Sequence, residues 1–194
     1  MKYLIRDVNS YKFQELESFF KNIRFKKRKR INNYSNNERK KQAIVGEILL
    51  KELLEKYYNI KYNTCIIEES KSGKPYITNY NIYFNISHKD NLVVCAVSYT
   101  DIGVDIEKIR EIDLNTINIF ATTTEKKYIL EKKEDILKRL FKIYTLKEAY
   151  LKMNGDSITN IKNIDISKIK KEKLTIKTVN KNDYIISIIK KTDN

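Results

Sequence analysis

The order of helical and strand-like segments constrains the fold of this chain more than any other feature of its sequence. A strand-like segment at residues 1–8 precedes helical segments and then several strand-like segments, which end with residues 101–107. Helical patterns fill residues 114–155, and strand-like patterns return in the tail, at residues 160–191. Helices and strands that fall in separate blocks are typical of α+β domains. Because the blocks occur twice, the sequence predicts an α+β fold with two halves, residues 1–100 and 101–194.

The ends of two helices are marked by capping residues. Ser35 and Glu38 have the spacing of a capping box, and the apolar stripe that follows them predicts a helix to about residue 57. Thr122 and Glu125 repeat that spacing. A long helix is predicted from about residue 134 to a stop at Gly155, because glycine tolerates the left-handed conformation at a helix end.

The content of histidine and cysteine excludes one kind of site. One His and two Cys cannot supply the ligands of a Cys/His zinc site, so any metal is expected to be a hard cation held by carboxylates. Cys65 and Cys95 lie in apolar segments and are predicted to be buried free thiols. The N-terminus lacks the apolar stretch of a signal peptide, and no segment resembles a membrane span. A cytoplasmic protein that does not contact a membrane is therefore predicted.

The charge of the chain indicates an anionic partner. It has 39 basic and 25 acidic residues and a net charge of +14. Nucleic acid, a membrane surface, a phosphorylated ligand and an acidic protein are all compatible with such a surface. The net charge therefore indicates that the partner is anionic, but it does not identify the class of partner.

The segment Gly103–Glu107 pairs two carboxylates on one strand. Side chains two residues apart point to the same face of a strand. Val104 and Ile106 are therefore predicted to face a core, and Asp105 and Glu107 to lie together on the other face. Neighbouring carboxylates are typical of a magnesium site that also binds phosphate oxygens. The alternative is an amphipathic strand whose outer face is exposed to water.

The segment Lys147–Lys152 adds a third carboxylate on the second long helix. Glu148 and Lys152 are four residues apart, so they share one helix face. In a functional interpretation, Glu148 joins the metal site and Lys152 binds phosphate. The alternative is an ordinary surface ion pair, which stabilises a helix by only about 0.3 kcal/mol.

Three further motifs lie in the first half. Phe84–His88 ends a strand with the only histidine of the chain. Ser72–Pro75 forms a tight turn that offers the Lys74 ammonium. Residues 24–30 contain six basic residues in seven. The alternative interpretations are a structural histidine, a plain β-turn, and a solvated or nucleic-acid-binding patch.

The order of these motifs over residues 24–155 resembles the 4'-phosphopantetheinyl transferases of the surfactin-synthetase-activating (Sfp) type. The resemblance implies two similar α+β halves related by a pseudo-twofold axis, with the active site in the cleft between them. It also implies a reaction. A serine of an apo acyl, peptidyl or polyketide carrier protein attacks the β-phosphate of coenzyme A, takes the 4'-phosphopantetheine arm, and 3',5'-ADP leaves.

The resemblance assigns roles to residues that match the motifs of the family. It implies Mg²⁺, with Mn²⁺ as an alternative, on Asp105, Glu107 and Glu148. It implies that Glu148, Lys152 and His88 take part in catalysis. It implies that coenzyme A is bound by Lys26, Lys29, Gly73, Lys74, Pro75, Ser87, His88 and Lys152.

One departure from the family lies in the helix that contains Gly46. Members of the family commonly have a basic residue four positions before the glycine that Gly46 matches, where this chain has Gln42 after Lys40 and Lys41. Either the register shifts by one residue or another lysine substitutes at this contact.

Two other functions are open. A nucleic-acid-binding module built on residues 24–30, or a catalytically silent homologue that binds coenzyme A or a carrier, are the alternatives. For the transferase we expect a carrier protein and coenzyme A as partners, no nucleic acid, no membrane, and a monomer.

Overall fold

A computed structural model describes residues 1–169 and 173–192. Within these residues the first half contains helices α1 (Phe13–Asn22), α2 (Phe25–Asn32) and α3 (Asn37–Tyr58) and strands β1 (Lys2–Asp7), β2 (Ile67–Glu69), β3 (Pro75–Ile77), β4 (Tyr83–Lys89) and β5 (Leu92–Ser98). The second half contains α4 (Ile117–Phe120), α5 (Thr123–Leu130), α6 (Ile136–Asn154) and α7 (Ile166–Ile169) and strands β6 (Ile102–Lys108), β7 (Leu174–Lys181) and β8 (Tyr184–Lys191). Short 3₁₀ segments lie at Val8–Ser10, Tyr62–Thr64, Leu114–Thr116 and Ile158–Asn163.

Each half contains a three-stranded antiparallel sheet and one long helix packed on it. The strand order is β1-β5-β4 in the first half and β6-β8-β7 in the second, and β2 and β3 form a separate hairpin. Helix α3 packs on β5, and helix α6 packs on β6 and β8. The prediction of an α+β fold with two similar halves is confirmed. The predicted boundary near residue 100 falls in the connection between β5 and β6.

The two sheets share a core between them. On β5 and β6, alternate side chains are buried in this shared core. They include Val94 and Ala96 of β5 and Val104 and Ile106 of β6. The other face of each sheet packs against its own helix, in two further cores. Because the sheets meet face to face, β4 of the first half lies beside β6 of the second. This contact joins two of the motifs that the sequence singled out.

The helix ends test the capping predictions. The Asn36 side chain, and not that of Ser35, caps α3: its Oδ1 accepts from the Glu38 N–H at 2.7 Å. The Ser35 prediction is wrong by one residue, since asparagine is as good an N-cap as serine. Thr122 caps α5, and the Glu125 side chain completes the capping box, as predicted. Helix α6 ends at a left-handed Gly155 with φ of 73°, also as predicted.

Two features of the first half differ from or add to the prediction. Residues 25–32 form helix α2, although the basic run gave no apolar periodicity and only Ile31 of this helix is buried. Cys65 and Cys95 are buried free thiols, as predicted, but Cys65 follows a 3₁₀ segment and precedes the strand that starts at Ile67.

No helix in residues 1–169 or 173–192 is both long and apolar enough to span a bilayer.

Candidate active site between the two halves

Strand β6 presents its carboxylates to helix α6. The strand places Val104 and Ile106 in the shared core, so Gly103, Asp105 and Glu107 point to the opposite face. A Cβ atom at Gly103 would overlap the Ala149 carbonyl oxygen of α6, so only glycine lets the helix approach this closely. The predicted orientation of the strand is confirmed. The alternative of a water-exposed outer face is wrong, because α6 covers that face.

Asp105 is the buried centre of a group that spans both halves. Asp105 is only 4% exposed. Oδ1 accepts from Lys152 Nζ of α6 at 2.6 Å and from Ser87 Oγ of β4 at 3.0 Å, and Lys152 Nζ also lies 3.0 Å from Ser87 Oγ. Among the described residues Oδ2 has no hydrogen-bond partner, although it is buried. A buried, unpartnered carboxylate oxygen is a suitable ligand for a cation.

Glu107 and Glu148 flank Asp105 on the same side of the sheet. Glu107 Oε2 lies 2.7 Å from Lys89 Nζ and 3.5 Å from Arg110 Nη1. Glu148 is half-buried, and burial together with the negative charge of Asp105 raises the pKa of its carboxyl group, while Lys152 and a hydrogen bond from Tyr144 lower it. A divalent cation bound between these carboxylates would relieve their mutual repulsion.

The donor set fits Mg²⁺, but the three carboxylates do not form an assembled metal centre. All three offer oxygen atoms, the donors that this ion prefers. In the described part of the chain no group of three or more potential ligands converges closely enough to hold an ion as it stands. The ammonium groups of Lys152 and Lys89 instead lie on Asp105 and Glu107.

His88 lies at the exposed end of β4, on the strand face that packs toward α3. The surrounding protein removes part of its hydration and lowers the pKa of its imidazole. The positive charges of Arg39, Lys152 and Lys27 lower it further, whereas Asp105 raises it. Loss of hydration and the surrounding cations thus both favour the neutral ring, and an anion bound among the cations would offset their part of the effect.

The basic run forms one wall of a cavity of about 290 Å³. Lys26 and Lys29 line this cavity, as does Pro75 from the β3 strand. Beneath it lies Glu47, which is 2% exposed and 3.6 Å from both Arg24 Nη2 and Lys27 Nζ. The structure therefore brings the predicted ligands Lys26, Lys29 and Pro75 together.

Lys74 points away from that cavity. Its Nζ donates to the Met153 carbonyl oxygen at 2.5 Å, near the end of α6. Gly73 has a φ of 81° at the tip of the turn and no neighbour near the position of a Cβ atom. The turn is thus fastened to the helix that carries Glu148 and Lys152.

Sequence reasoning missed the role of three residues near the site. Gln42 is buried, and its Nε2 donates to the Asp90 carbonyl oxygen at 2.6 Å, so its amide is already bonded within the protein. Tyr144 donates to Glu148. Glu47 also binds the Tyr62 hydroxyl, at 2.6 Å. A glutamate among the apolar positions of a helix was the available signal for Glu47, since unpaired carboxylates are rarely buried.

Comparison with known proteins covers almost the whole chain. The family model described as "4'-phosphopantetheinyl transferase, N-terminal" matches residues 11–100. The model described as "4'-phosphopantetheinyl transferase superfamily" matches residues 101–191. The two models meet in the connection between β5 and β6.

Individual relatives extend the comparison. The chain is 31% identical over 150 residues to 4'-phosphopantetheinyl transferase gsp of Aneurinibacillus migulanus, covering 77% of this chain and 62% of that protein. It is 27% identical over 148 residues to 4'-phosphopantetheinyl transferase Sfp of Bacillus subtilis (strain 168), covering 75% and 66%. It is 29% identical over 153 residues to 4'-phosphopantetheinyl transferase HetI of Nostoc sp., covering 71% and 62%. The chain thus spans less than two thirds of the length of these relatives.

Proposed function

Because this chain belongs to the 4'-phosphopantetheinyl transferase superfamily and is of the Sfp type, we propose that it transfers the 4'-phosphopantetheine arm of coenzyme A to a serine of an apo carrier protein. The observation that carries the proposal is the group formed by Asp105, Lys152 and Ser87. These residues come from β6, α6 and β4, and they meet between the halves through hydrogen bonds of 2.6 to 3.0 Å.

The reaction requires one proton transfer and one displacement at phosphorus. The carrier serine oxygen forms a bond to the β-phosphorus of coenzyme A, the bond to the α,β-bridging oxygen breaks, and 3',5'-ADP leaves. Glu148 takes the serine proton, directly or through water. Lys152 stabilises the charge that develops on the phosphate oxygens.

Asp105, Glu107 and Glu148 would hold Mg²⁺, with Mn²⁺ as an alternative. When bound, the ion supplies charge neutralisation at the pyrophosphate. The buried Asp105 Oδ2 supports this assignment, since it has no other partner in residues 1–169 and 173–192. With the ion on Asp105, Lys152 Nζ would be available to contact phosphate oxygens in place of that carboxylate.

We assign the opposite end of coenzyme A to the first half of the chain. The cavity lined by Lys26, Lys29 and Pro75 offers cations for the 3'-phosphate and an apolar wall for adenine. Ser87 and His88, near the end of β4, would meet the 3'-phosphate region. Gly73 and Lys74 border the site through their turn, and Lys74 reaches a phosphate only by releasing the Met153 carbonyl oxygen.

The net charge of +14 suits an acidic carrier protein as the second substrate. We propose a cytoplasmic monomer that acts without nucleic acid or membrane. A nucleic-acid-binding function has less support, because much of the basic run is already paired. Arg24 and Lys27 lie against Glu47, and Arg30 Nη1 is 3.1 Å from Glu69 Oε1.

The test is a mass measurement on the carrier. With coenzyme A, Mg²⁺ and several apo carriers, we expect one carrier or more to gain the mass of the phosphopantetheine arm. Asp105→Asn keeps the shape of the side chain but removes its charge, so we expect at least a ~100-fold loss of rate with an unchanged circular dichroism spectrum.

Asp101→Asn is the matched control, because Asp101 precedes the same strand and pairs with the exposed Lys191 at 2.7 Å. No mass gain on any carrier would contradict the transferase and, if coenzyme A still binds, favour the silent homologue. A normal rate for Asp105→Asn would remove the roles given to Asp105.

A further inference from the structure

The first turns of α3 direct their polar side chains to two different places. Lys40 and Lys41 line a groove with Phe13 and Leu16 of α1. Gln42 instead faces the β4–β5 hairpin, where it binds the Asp90 carbonyl oxygen, two residues beyond His88. The lysines beside Gln42 therefore do not supply a cation at the hairpin.

Arg39 lies on the hairpin side of α3. It precedes Gln42 by three residues, and residues three apart are neighbours on one helix face. The Gln42–Asp90 bond of 2.6 Å fixes that face against the end of the β4–β5 hairpin. The positive charge of Arg39 is consequently felt at His88, whose pKa it lowers.

The Arg39 guanidinium is oriented but not neutralised. Its Cζ atom lies 5.0 Å from the centroid of the Tyr34 ring, a cation–π contact that restricts the side chain. Within the described ranges no carboxylate lies at ion-pair distance from it. The other arginines of this region differ, since Arg24 lies 3.6 Å from Glu47 and Arg30 lies 3.1 Å from Glu69.

The charged groups that act on His88 include the cations of Arg39, Lys27 and Lys152 and the carboxylate of Asp105. Lys152 is held on the carboxylate side by its contact with Asp105, and Lys27 lies above Glu47. Arg39 is thus the cation near His88 whose donors are not engaged with a carboxylate. A guanidinium has five N–H donors in a planar fork that matches two oxygens of one phosphate.

We propose that Arg39 binds the 3'-phosphate of coenzyme A next to His88, and so supplies the basic contact that Gln42 does not make. This inference rests on the proposed function. It names a ligand-binding residue that the motifs of the chain did not mark, and it explains why a neutral residue at position 42 is tolerated.

The test compares coenzyme A with 3'-dephospho-coenzyme A as the donor. We expect Arg39→Gln to raise KM for coenzyme A about tenfold, the effect of losing one charge-assisted contact. KM for the dephospho donor and kcat for both donors stay the same. Arg39→Lys keeps the charge but loses the fork, so its KM for coenzyme A lies between the two. Lys41→Gln, on the groove side of α3, is the control and changes neither KM.

Two results would overturn the inference: an unchanged KM for coenzyme A in Arg39→Gln, or an equal rise for both donors, which indicates a merely structural role. If the wild-type protein transfers from neither donor, the proposed function fails, and calorimetry with 3',5'-ADP and 5'-ADP decides the inference separately. Arg39→Gln should then weaken binding of 3',5'-ADP about tenfold and leave that of 5'-ADP unchanged. Equal binding by the two proteins would contradict it.

Discussion

His88 and Asp105 show how the environment of single residues decides what they can do. Strand alternation in the sequence was enough to place Asp105 and Glu107 on one face. That alternation does not reveal whether the face is wet or covered, because the covering helix starts about thirty residues later in the chain. Nor does it reveal the neighbours of His88, since Arg39 and Lys152 reach it from α3 and α6.

The pKa of the His88 imidazole depends on the cations around it. Partial loss of hydration and the charges of Arg39, Lys152 and Lys27 lower its pKa from 6.5, so protonation requires a lower pH than for a free histidine and the ring is neutral at pH 7. We expect Arg39→Gln to raise this pKa, because a repelling charge is removed. As His88 is the only histidine, a proton NMR titration of its ring resonances measures the value without assignment. The same titration on Lys41→Gln should match the wild type, and an equal pKa in Arg39→Gln would contradict the placement of the guanidinium.

Whole elements differ in how well the sequence predicted them. Helices α3, α5 and α6 have capping signals and apolar positions, and these were recognised. Helix α2 contains five of the six basic residues of the run at 24–30, so it lacks apolar periodicity. It is stabilised by packing and by the ion pairs to Glu47, which lies about twenty residues away in sequence. Local propensity cannot report such a distant contact.

Helix α6 is held in place by a buried ion pair, whose lysine lies among the apolar residues of the helix. Lys147 is fully buried, and its Nζ lies 2.6 Å from Glu125 Oε2 and 2.6 Å from the Phe120 carbonyl oxygen. Glu125 Oε1 in turn accepts from the Ile166 N–H at 2.9 Å. The residues Ile143, Lys147 and Leu151 are spaced by four, so Lys147 falls in a buried row of the helix. This spacing was the sequence signal for its burial.

We expect Lys147→Met to lower the free energy of unfolding by about 3 kcal/mol, because it leaves the Glu125 carboxylate buried without its cation. Urea unfolding followed by circular dichroism measures the change. Lys142→Met, on the exposed side of the same helix, should stay within about 0.5 kcal/mol of the wild type. A loss as small as that of the control would show that the pair contributes nothing to stability.

The molecule as a whole consists of two similar halves whose sheets share a core. The alternation of element blocks predicted the two halves, but the sequence does not reveal that their sheets meet face to face. That arrangement depends on contacts between strands from different halves, such as β4 with β6. It places Ser87 next to Asp105, so the site exists only when both halves are folded together.

We expect a single unfolding transition for the whole chain, because the two sheets share one core. Far-ultraviolet circular dichroism and the fluorescence of the 14 tyrosines should give the same midpoint in urea. Val94→Ala, which removes two methyl groups from the shared core, should lower both midpoints together. Two separate transitions would contradict a common core.

The contact at Gly103 sets a limit on how this site can be altered. Where β6 crosses α6, main chain touches main chain, with no side chain between them that substitution could lengthen or shorten. The separation of the two backbones that carry Asp105 and Glu148 is therefore fixed by this contact. A mutant library that varies the side chains around the site can change its charge and its accessibility. The same library leaves the spacing of these two backbones as it is, so new specificities for this scaffold have to come from the walls of the cleft.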